Sequence, residues 1–319
     1  MALASKIRIE IDGEELKDFL NFTINQSIYT YHEFEVVCRM DTFEDTDGFV
    51  MEQSKKFIGL VITISIEAKL KGNSQTSDHM FKGLITGIRA AKSDTGQADH
   101  VILSGHSPDI LMSDNPGSHS FENKTLKQIA DDVLKPYPKD VLKSKTDPVK
   151  DARLPYIVQY NENRHDFIRR LATRYGEWFF YDGTQLFFGK LPDSKIDLKL
   201  GMDLTDVNFS IRLNPLKFKY VGYDYASAKP VETASSKTGG KDSLNEYGGF
   251  AHDRSMKQYA QQSTIFYNHL NAPDDNYTKE LDNVVGLEEG ASALNMSVMR
   301  GSSQNPQLKL GSKINIKAL

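Results

Sequence analysis

The sequence predicts a mainly β, α+β protein in which two β-barrel-like domains flank a small segment of helix and hairpin. Three observations predict it. Apolar and polar residues alternate at period 2 up to His106, helical 3.6 periodicity is confined to the middle of the chain, and alternation resumes from Ile196.

Taken in order, Ile7, Ile9 and Ile11 alternate with Lys6, Arg8 and Glu10 and run into Asp12-Gly13, a pair suited to positive φ, so a strand enters a hairpin there. Further strands are predicted over 34–39, 57–68, 80–91 and 100–106, with polar breaks at 71–78 and 93–97. Short strands joined by loops predict a small barrel or sandwich over 1–107, interrupted by an acidic, solvent-facing loop at 41–48. A small α/β domain follows over 108–193. Leu126, Ile129 and Val133 fall on one helical face and Thr125 with Gln128 makes a capping box, predicting a helix over 125–135 that Pro136 and Pro138 end. The stretch 139–154 has no period and is predicted as a charged connection. Over 164–175, Phe167, Ile168, Leu171 and Tyr175 share a face, Asp166 sits near the N-terminal end and Gly176 is placed as the C-terminal stop. Residues 177–181, Asp182-Gly183 and 185–188 predict an aromatic hairpin closed by a type I′ turn.

Over 194–319 a second barrel is predicted. Alternation is clear over 209–213 and 216–226, and 227–249, rich in Ser, Thr, Gly and Lys, is predicted as a mobile loop. A weak helical pattern runs through Leu281, Val284, Val285 and Leu287. Leu294, Met296 and Val298 alternate again, and 309–317 closes with a turn and a strand.

Composition bounds the function. A chain of 319 residues holds roughly two domains and a sizeable core. Apolar content of 39% and charged content of 26% exclude a disordered or collagen-like chain, and a net charge of −4 argues against bulk binding to nucleic acid or anionic lipid. The single cysteine, Cys38, forbids an intrachain disulfide and favours folding in the cytosol. The N-terminus lacks the apolar stretch of a signal peptide. The longest apolar run, 57–66, is far short of the roughly 20 residues of a membrane span.

Motifs for catalysis and metal binding are weak. Gly105-His106-Ser107-Pro108 lacks the second glycine of a nucleophile elbow. Gly239-Gly240-Lys241 is followed by Asp242 instead of the Ser or Thr of a phosphate loop. His100 and His106 share a strand face but stand about 20 Å apart, too far for one zinc ion. Asp45, Asp47 and Gly48 fit a calcium loop, whereas Phe43 and Ser54 occupy its first and last ligand positions. Glu177 beside Trp178 suits a general acid but lacks an obvious partner carboxylate, which favours a charge at a strand end. Arg164, Arg169, Arg170 and Arg174 could meet phosphates, and pairing with carboxylates is the favoured reading. No catalytic, cofactor-binding or metal residue is assigned, and no cofactor.

The runs Gln159-Tyr160-Asn161-Glu162-Asn163, Phe167-Ile168-Arg169-Arg170-Leu171 and Gly176-Glu177-Trp178-Phe179-Phe180-Tyr181 resemble the hub region of VgrG proteins, the type VI secretion spike, which is similar to the baseplate hubs of contractile phages. Upstream, 121–129 looks like the helix that precedes this pattern. The tail Gln307-Leu308-Lys309-Leu310-Gly311-Ser312 is similar to the segment just before the spike's OB domain. Thr173-Arg174-Tyr175 stands where that family more often carries acidic residues, implying a divergent branch. A full VgrG continues into an OB domain and a needle, so an end at Leu319 implies truncation before the spike or a hub encoded apart from it.

The resemblance implies a phage-hub-like fold and a structural, non-enzymatic role, in which a homotrimer presents six similar lobes to a sixfold Hcp tube ring. Its implied partners are the tube, a spike or needle segment with its tip protein, baseplate proteins and delivered effectors, with no nucleic acid and no stable membrane insertion. The hub would assemble in the cytoplasm and then be ejected into the extracellular space or a target cell. A carbohydrate- or peptidoglycan-binding module built on an exposed Trp178 is the alternative, with a glycoside hydrolase using Glu177 behind it; a hub is expected to bury Trp178.

Overall fold

The computed structural model describes residues 2–28, 30–43, 50–70, 76–91, 99–225, 227–235, 244–268, 270 and 276–317. β1 (Ala2–Ile11) turns into β2 (Glu14–Glu15) through Asp12 and Gly13, whose φ of 50° and 85° supply the two positive values that a type I′ turn needs. β3 (Asn21–Asn25), β4 (Glu33–Arg39), a one-turn helix α1 (Val50–Ser54), β5 (Val61–Leu70), β6 (Thr76–Ala91) and β7 (His100–His106) follow. The strands form one seven-stranded antiparallel sheet in the order β2-β1-β5-β6-β7-β4-β3. Ile9 and Ile11 of β1 join Phe34 and Val36 of β4 in one buried cluster with Ile62, Ile64, Phe81, Ile85, Val101 and Leu103. Since β1 and β4 lie near opposite ends of the strand order, the sheet must curl round this core, which makes it barrel-like.

Two local expectations are corrected here. The strand expected from residue 57 starts at Val61, because 55–57 form a 3₁₀ turn and Gly59 (φ 83°) breaks the extended run. In the acidic stretch Asp41 is exposed as expected, but Phe43 is buried and packs edge-on against Phe57 with ring centroids 5.5 Å apart. Residues 44–49, with Asp45, Asp47 and Gly48, lie outside the described residues.

The middle of the chain contains β8 (Gly117–Thr125), α2 (Leu126–Leu134), β9 (Ser144–Asp147), β10 (Arg153–Glu162), α3 (Arg164–Tyr175), β11 (Trp178–Tyr181) and β12 (Leu186–Gly189). Thr125 Oγ1 accepts from Gln128 N while Gln128 Oε1 accepts from Thr125 N, closing the capping box of α2. Asn163 caps α3, and Gly176 ends it at φ 72°. Leu126, Ile129 and Val133 pack with Phe167, Ile168 and Leu171 and with Phe179, Tyr181, Leu186 and Phe188 in a second core.

The segment 121–129 is therefore not a single helix, since Thr125 is the N-cap and 121–125 pair with β10. The connection expected over 139–154 contains β9, an all-polar strand recognisable only by its parallel pairing with β12. The hairpin turn also differs from expectation. Asp182 has no positive φ, Gly183 has φ 109°, and Asp182 Oδ1 accepts from the backbone N–H of Thr184 and Gln185, so the carboxylate, rather than a second left-handed residue, satisfies the turn.

The C-terminal region is built from β13 (Lys195–Lys199), β14 (Leu204–Ile211), β15 (Phe218–Asp224), β16 (Lys229–Ala234), α4 (Glu246–Gln258), β17 (Ser263–Phe266), α5 (Tyr277–Leu294), β18 (Ser297–Ser303) and β19 (Lys313–Lys317). The strands pair as β13 with β19, β14 with β18, and a three-stranded sheet β16-β15-β17. Residues 227–249 are not one loop: β16 and the start of α4 lie within them, and 236–243, with the Gly239-Gly240-Lys241 motif, are outside the described residues. The stripe Leu281, Val285, Glu289 and Ala293 forms the buried face of α5. Overall the fold is mainly β, with few helices.

Candidate assembly surfaces

The described residues that suggested chemistry make structural contacts. Ser107 is fully buried and its Oγ accepts from His32 N at 2.9 Å. A Cβ on Gly105 would meet Leu84 O at 2.0 Å, so that glycine serves strand packing. His100 and His106 sit at opposite ends of β7, and His106 Nδ1 lies 3.1 Å from Thr86 Oγ1. Among the described residues no group of three or more His, Cys, Asp or Glu could hold a metal ion.

Glu177 is buried, and its two oxygens accept from Val149 N and Lys150 N, both at 2.9 Å. It clamps the segment after β9 to the start of the aromatic hairpin. Glu177→Gln turns one acceptor into a donor facing an N–H, and a stability loss of about 1–3 kcal/mol is expected from the stranded group. Thermal melts check the loss, and a peptidoglycan-hydrolysis assay checks the competing general-acid reading, under which the wild-type chain cleaves and the variant does not. Each of the four arginines pairs with a carboxylate: Arg164 with Asp114, Arg169 with Asp166 at 2.8 Å, Arg170 with Glu162 at 2.5 Å and Arg174 with Glu280 at 3.2 Å. Trp178, expected to be buried in a hub, is 39% exposed in the single chain because it is the outward residue at the first position of β11.

The chain's open apolar surface is concentrated in its C-terminal region. In the ribbon β14–β18, Phe209 stands directly opposite Met299, and Val207 and Ile211 share their face. Phe209, Ile211 and Met299 are 38%, 46% and 46% exposed, and Tyr247 of α4, itself largely exposed, leans edge-on against Phe209 at 4.8 Å between centroids. The sheet β16-β15-β17 is one-sided. Phe218, Gly222 and Thr233 are buried on the face toward α5, where Thr233 Oγ1 donates to Asp282 at 2.5 Å. Its opposite face carries Val221, Tyr223 and Phe266, the last 76% exposed, with Tyr225 beyond the strand end stacked edge-on against Tyr223.

Behind these faces the cores are small. One cluster holds Leu216, Ala251, Ala293 and Met296, and another Ile196, Leu198 and Leu204. The α4–α5 contact includes a buried polar pair, His252 Nε2 to Glu289 Oε1 at 2.9 Å, and α5 leans on the middle of the chain beside an apolar groove of about 510 Å³ lined by Leu126, Leu154, Tyr175, Val284 and Leu287. A two-stranded ribbon is marginal alone in water, and contiguous apolar faces on a folded chain mark contact surfaces. The geometry therefore suits an assembly component. The sequence showed the alternation at 209–213 but not that Met299 stands opposite Phe209 on the same face.

The comparisons agree with that character. A family model for the phage tail baseplate hub (GPD) matches residues 26–317. Among solved structures the chain is similar to the 43 kDa tail protein of prophage MuSo2 from Shewanella oneidensis, at 13% identity over 98% of this chain and 89% of that one, with a TM-score of 0.63. It is similar to the tail protein from Neisseria meningitidis MC58, at 11% identity over 98% and 86% with a TM-score of 0.61. The prophage tail protein gp18 from Listeria monocytogenes EGD-e gives 13% identity over 97% and 84% and a TM-score of 0.52. At these identities the likeness shows the fold. No curated protein sequence matches the chain.

Proposed function

The chain belongs to the phage tail baseplate hub family, and from that premise we propose that three copies close into a ring that joins a sixfold tube to a threefold spike. The observation that carries this reading is the pair of open apolar sheet faces, β14–β18 and β15–β17, over small local cores. Two β-rich lobes per chain give six per trimer, enough to meet every subunit of a sixfold ring, while the chain itself repeats only three times. Such contacts need complementary surfaces and no reaction centre, so the role is structural, not enzymatic.

The partners in this reading are a second and third copy, the tube ring (Hcp in a type VI secretion machine, the tail tube in a phage), a spike or needle segment with its tip protein, and baseplate proteins. Assembly in the cytoplasm precedes ejection into the extracellular space or a target cell, with effectors as cargo in the secretion case. Negative-stain electron microscopy over a concentration series tests the reading, with the chain alone and fused ahead of a trimeric spike domain. Rings of three chains with six lobes and a central hole are expected. Single-chain particles in both preparations at every concentration would falsify it.

A further inference from the structure

Three parts of the chain meet at a junction built around two buried histidines. His32, in the segment between β3 and β4, is fully buried. Its Nδ1 lies 3.1 Å from Gln26 Nε2, its backbone exchanges two hydrogen bonds with Ser107, and its Nε2 has no protein partner. Its ring lies against Phe81 of β6 and edge-on to Tyr181 of the β11–β12 hairpin, with centroids 6.1 and 5.6 Å away. His79 is buried one face-repeat earlier on β6, hydrogen-bonded to the backbone of Pro306 and near Lys309. The hairpin tip is tied to the same strand by Lys82 N donating to Gly183 O at 2.7 Å. The segment after β18 presses on the hairpin so closely that a Cβ on Gly311 would meet Phe180 at 2.5 Å.

We propose that this junction is an acid-operated latch, in which protonation of His32 and His79 undocks the curled N-terminal sheet from the hairpin tip and from the 306–311 segment. The charged and titratable surroundings decide the sign. Asp109, Asp182 and the Ser27 backbone favour a proton on His32, whereas burial and His79 oppose it, and burial is the largest effect, so His32 is held below its ordinary 6.5. For His79, burial and Lys309 outweigh the Pro306 backbone, Asp182 and Asp78, so it too is held below 6.5. Tyr181, buried with its hydroxyl unpartnered, offers no charge to compensate. Asp109 also lies beside a second histidine, its Oδ2 3.7 Å from His165 Nε2, with the Tyr31 ring tilted against that imidazole at 4.3 Å between centroids. The undocked form binds protons near pH 6.5 and the docked form only lower. Docking is therefore complete above 6.5 and weakens as pH falls from there through the docked-state values.

Hydrogen exchange on the full chain tests the latch, read at the Lys82 amide, which bridges the junction, and at Ile64, which lies inside the sheet. Between about pH 7.5 and about pH 5, Lys82 protection corrected for intrinsic rate is expected to fall about tenfold or more, read as one local opening. Ile64 protection is expected to persist, which separates undocking from global unfolding. His32→Gln combined with His79→Gln should abolish the acid response. An unchanged Lys82 in the wild type, or an acid response that survives in the double variant, overturns the proposal. If the double variant does not fold, an NMR titration of the wild-type imidazoles decides: both rings neutral well below pH 6.5 supports the latch, and titration at or above 6.5 overturns it. The outcome is independent of whether the chain trimerises.

Discussion

Gly189→Ala is expected to destabilise the middle of the chain by about 3–5 kcal/mol, lowering the melting temperature by about 5 °C or more for a chain of this size. Gly189 closes β12 at φ 119°, a conformation that only glycine adopts without strain. A Cβ there would stand 2.1 Å from Asp147 O and 2.3 Å from Asp147 C. Both are backbone atoms of β9, so no side-chain rotation relieves the contact. Moving β9 away would also break the hydrogen bond from Lys190 N to Asp147 O, 2.9 Å long, and unseat the parallel β9–β12 pair. The control is Gly290→Ala in α5, where an added Cβ meets nothing within 4 Å and φ is ordinary; there a helix-favouring gain of up to about 1 kcal/mol is expected. Near-ultraviolet circular dichroism melts of both variants check the contrast, and equal melting temperatures for the two would show that β9 does not depend on Gly189.

That dependence explains why β9 could not be read from the sequence. Ser144, Lys145, Thr146 and Asp147 carry no apolar period, and what makes them a strand is a partner 42 residues away, Leu186 to Gly189. Where local chemistry sets the structure, the sequence was legible. The Thr125–Gln128 box, the Gly176 stop and the Asp12-Gly13 turn each follow from residues within a few positions of one another. The Asp182-Gly183 turn failed because the Asp182 side chain competes for the turn amides, an option that the dipeptide alone does not reveal. Helix α4 was hidden by Gly248 and Gly249, which lower helical propensity but are buried in the packed structure; α5 was blurred by Glu289, a charge on its inward stripe that His252 pairs from α4. The family pattern Gln159 to Tyr181 was readable because its polar members are structural. Gln159 Nε2 donates to Glu162 O, Glu162 accepts from Arg170, and Glu177 clamps Val149 and Lys150.

The open faces were not legible for a different reason, and testing one of them gives the largest effect expected on assembly. A strand's two faces exchange on a one-residue slip, and the register Phe209 opposite Met299 shows that the apolar residues of β14 and β18 gather on one face of the ribbon. Phe209→Glu combined with Met299→Lys replaces the apolar pair by opposite charges directly across the ribbon, so the strand pairing is supported while the face becomes hydrophilic. The fold should tolerate this, because both side chains are already more than a third exposed, and a melting shift within about 1 °C is expected. In the trimer the same charges would be stripped of water, at a cost of several kcal/mol per interface. Self-association is therefore expected to weaken by at least about a hundredfold, read by analytical ultracentrifugation at concentrations where the wild type forms rings. Asn208→Glu, on the other face and opposite Arg300, should leave the rings intact. A double variant that assembles like the wild type removes β14–β18 from the self-interface and leaves the Tyr223–Phe266 face to carry it; loss of rings in Asn208→Glu as well would point to damage of the ribbon itself. Only the pattern of lost rings, unchanged melting and an intact Asn208 control ties the open apolar face to closure of the hub.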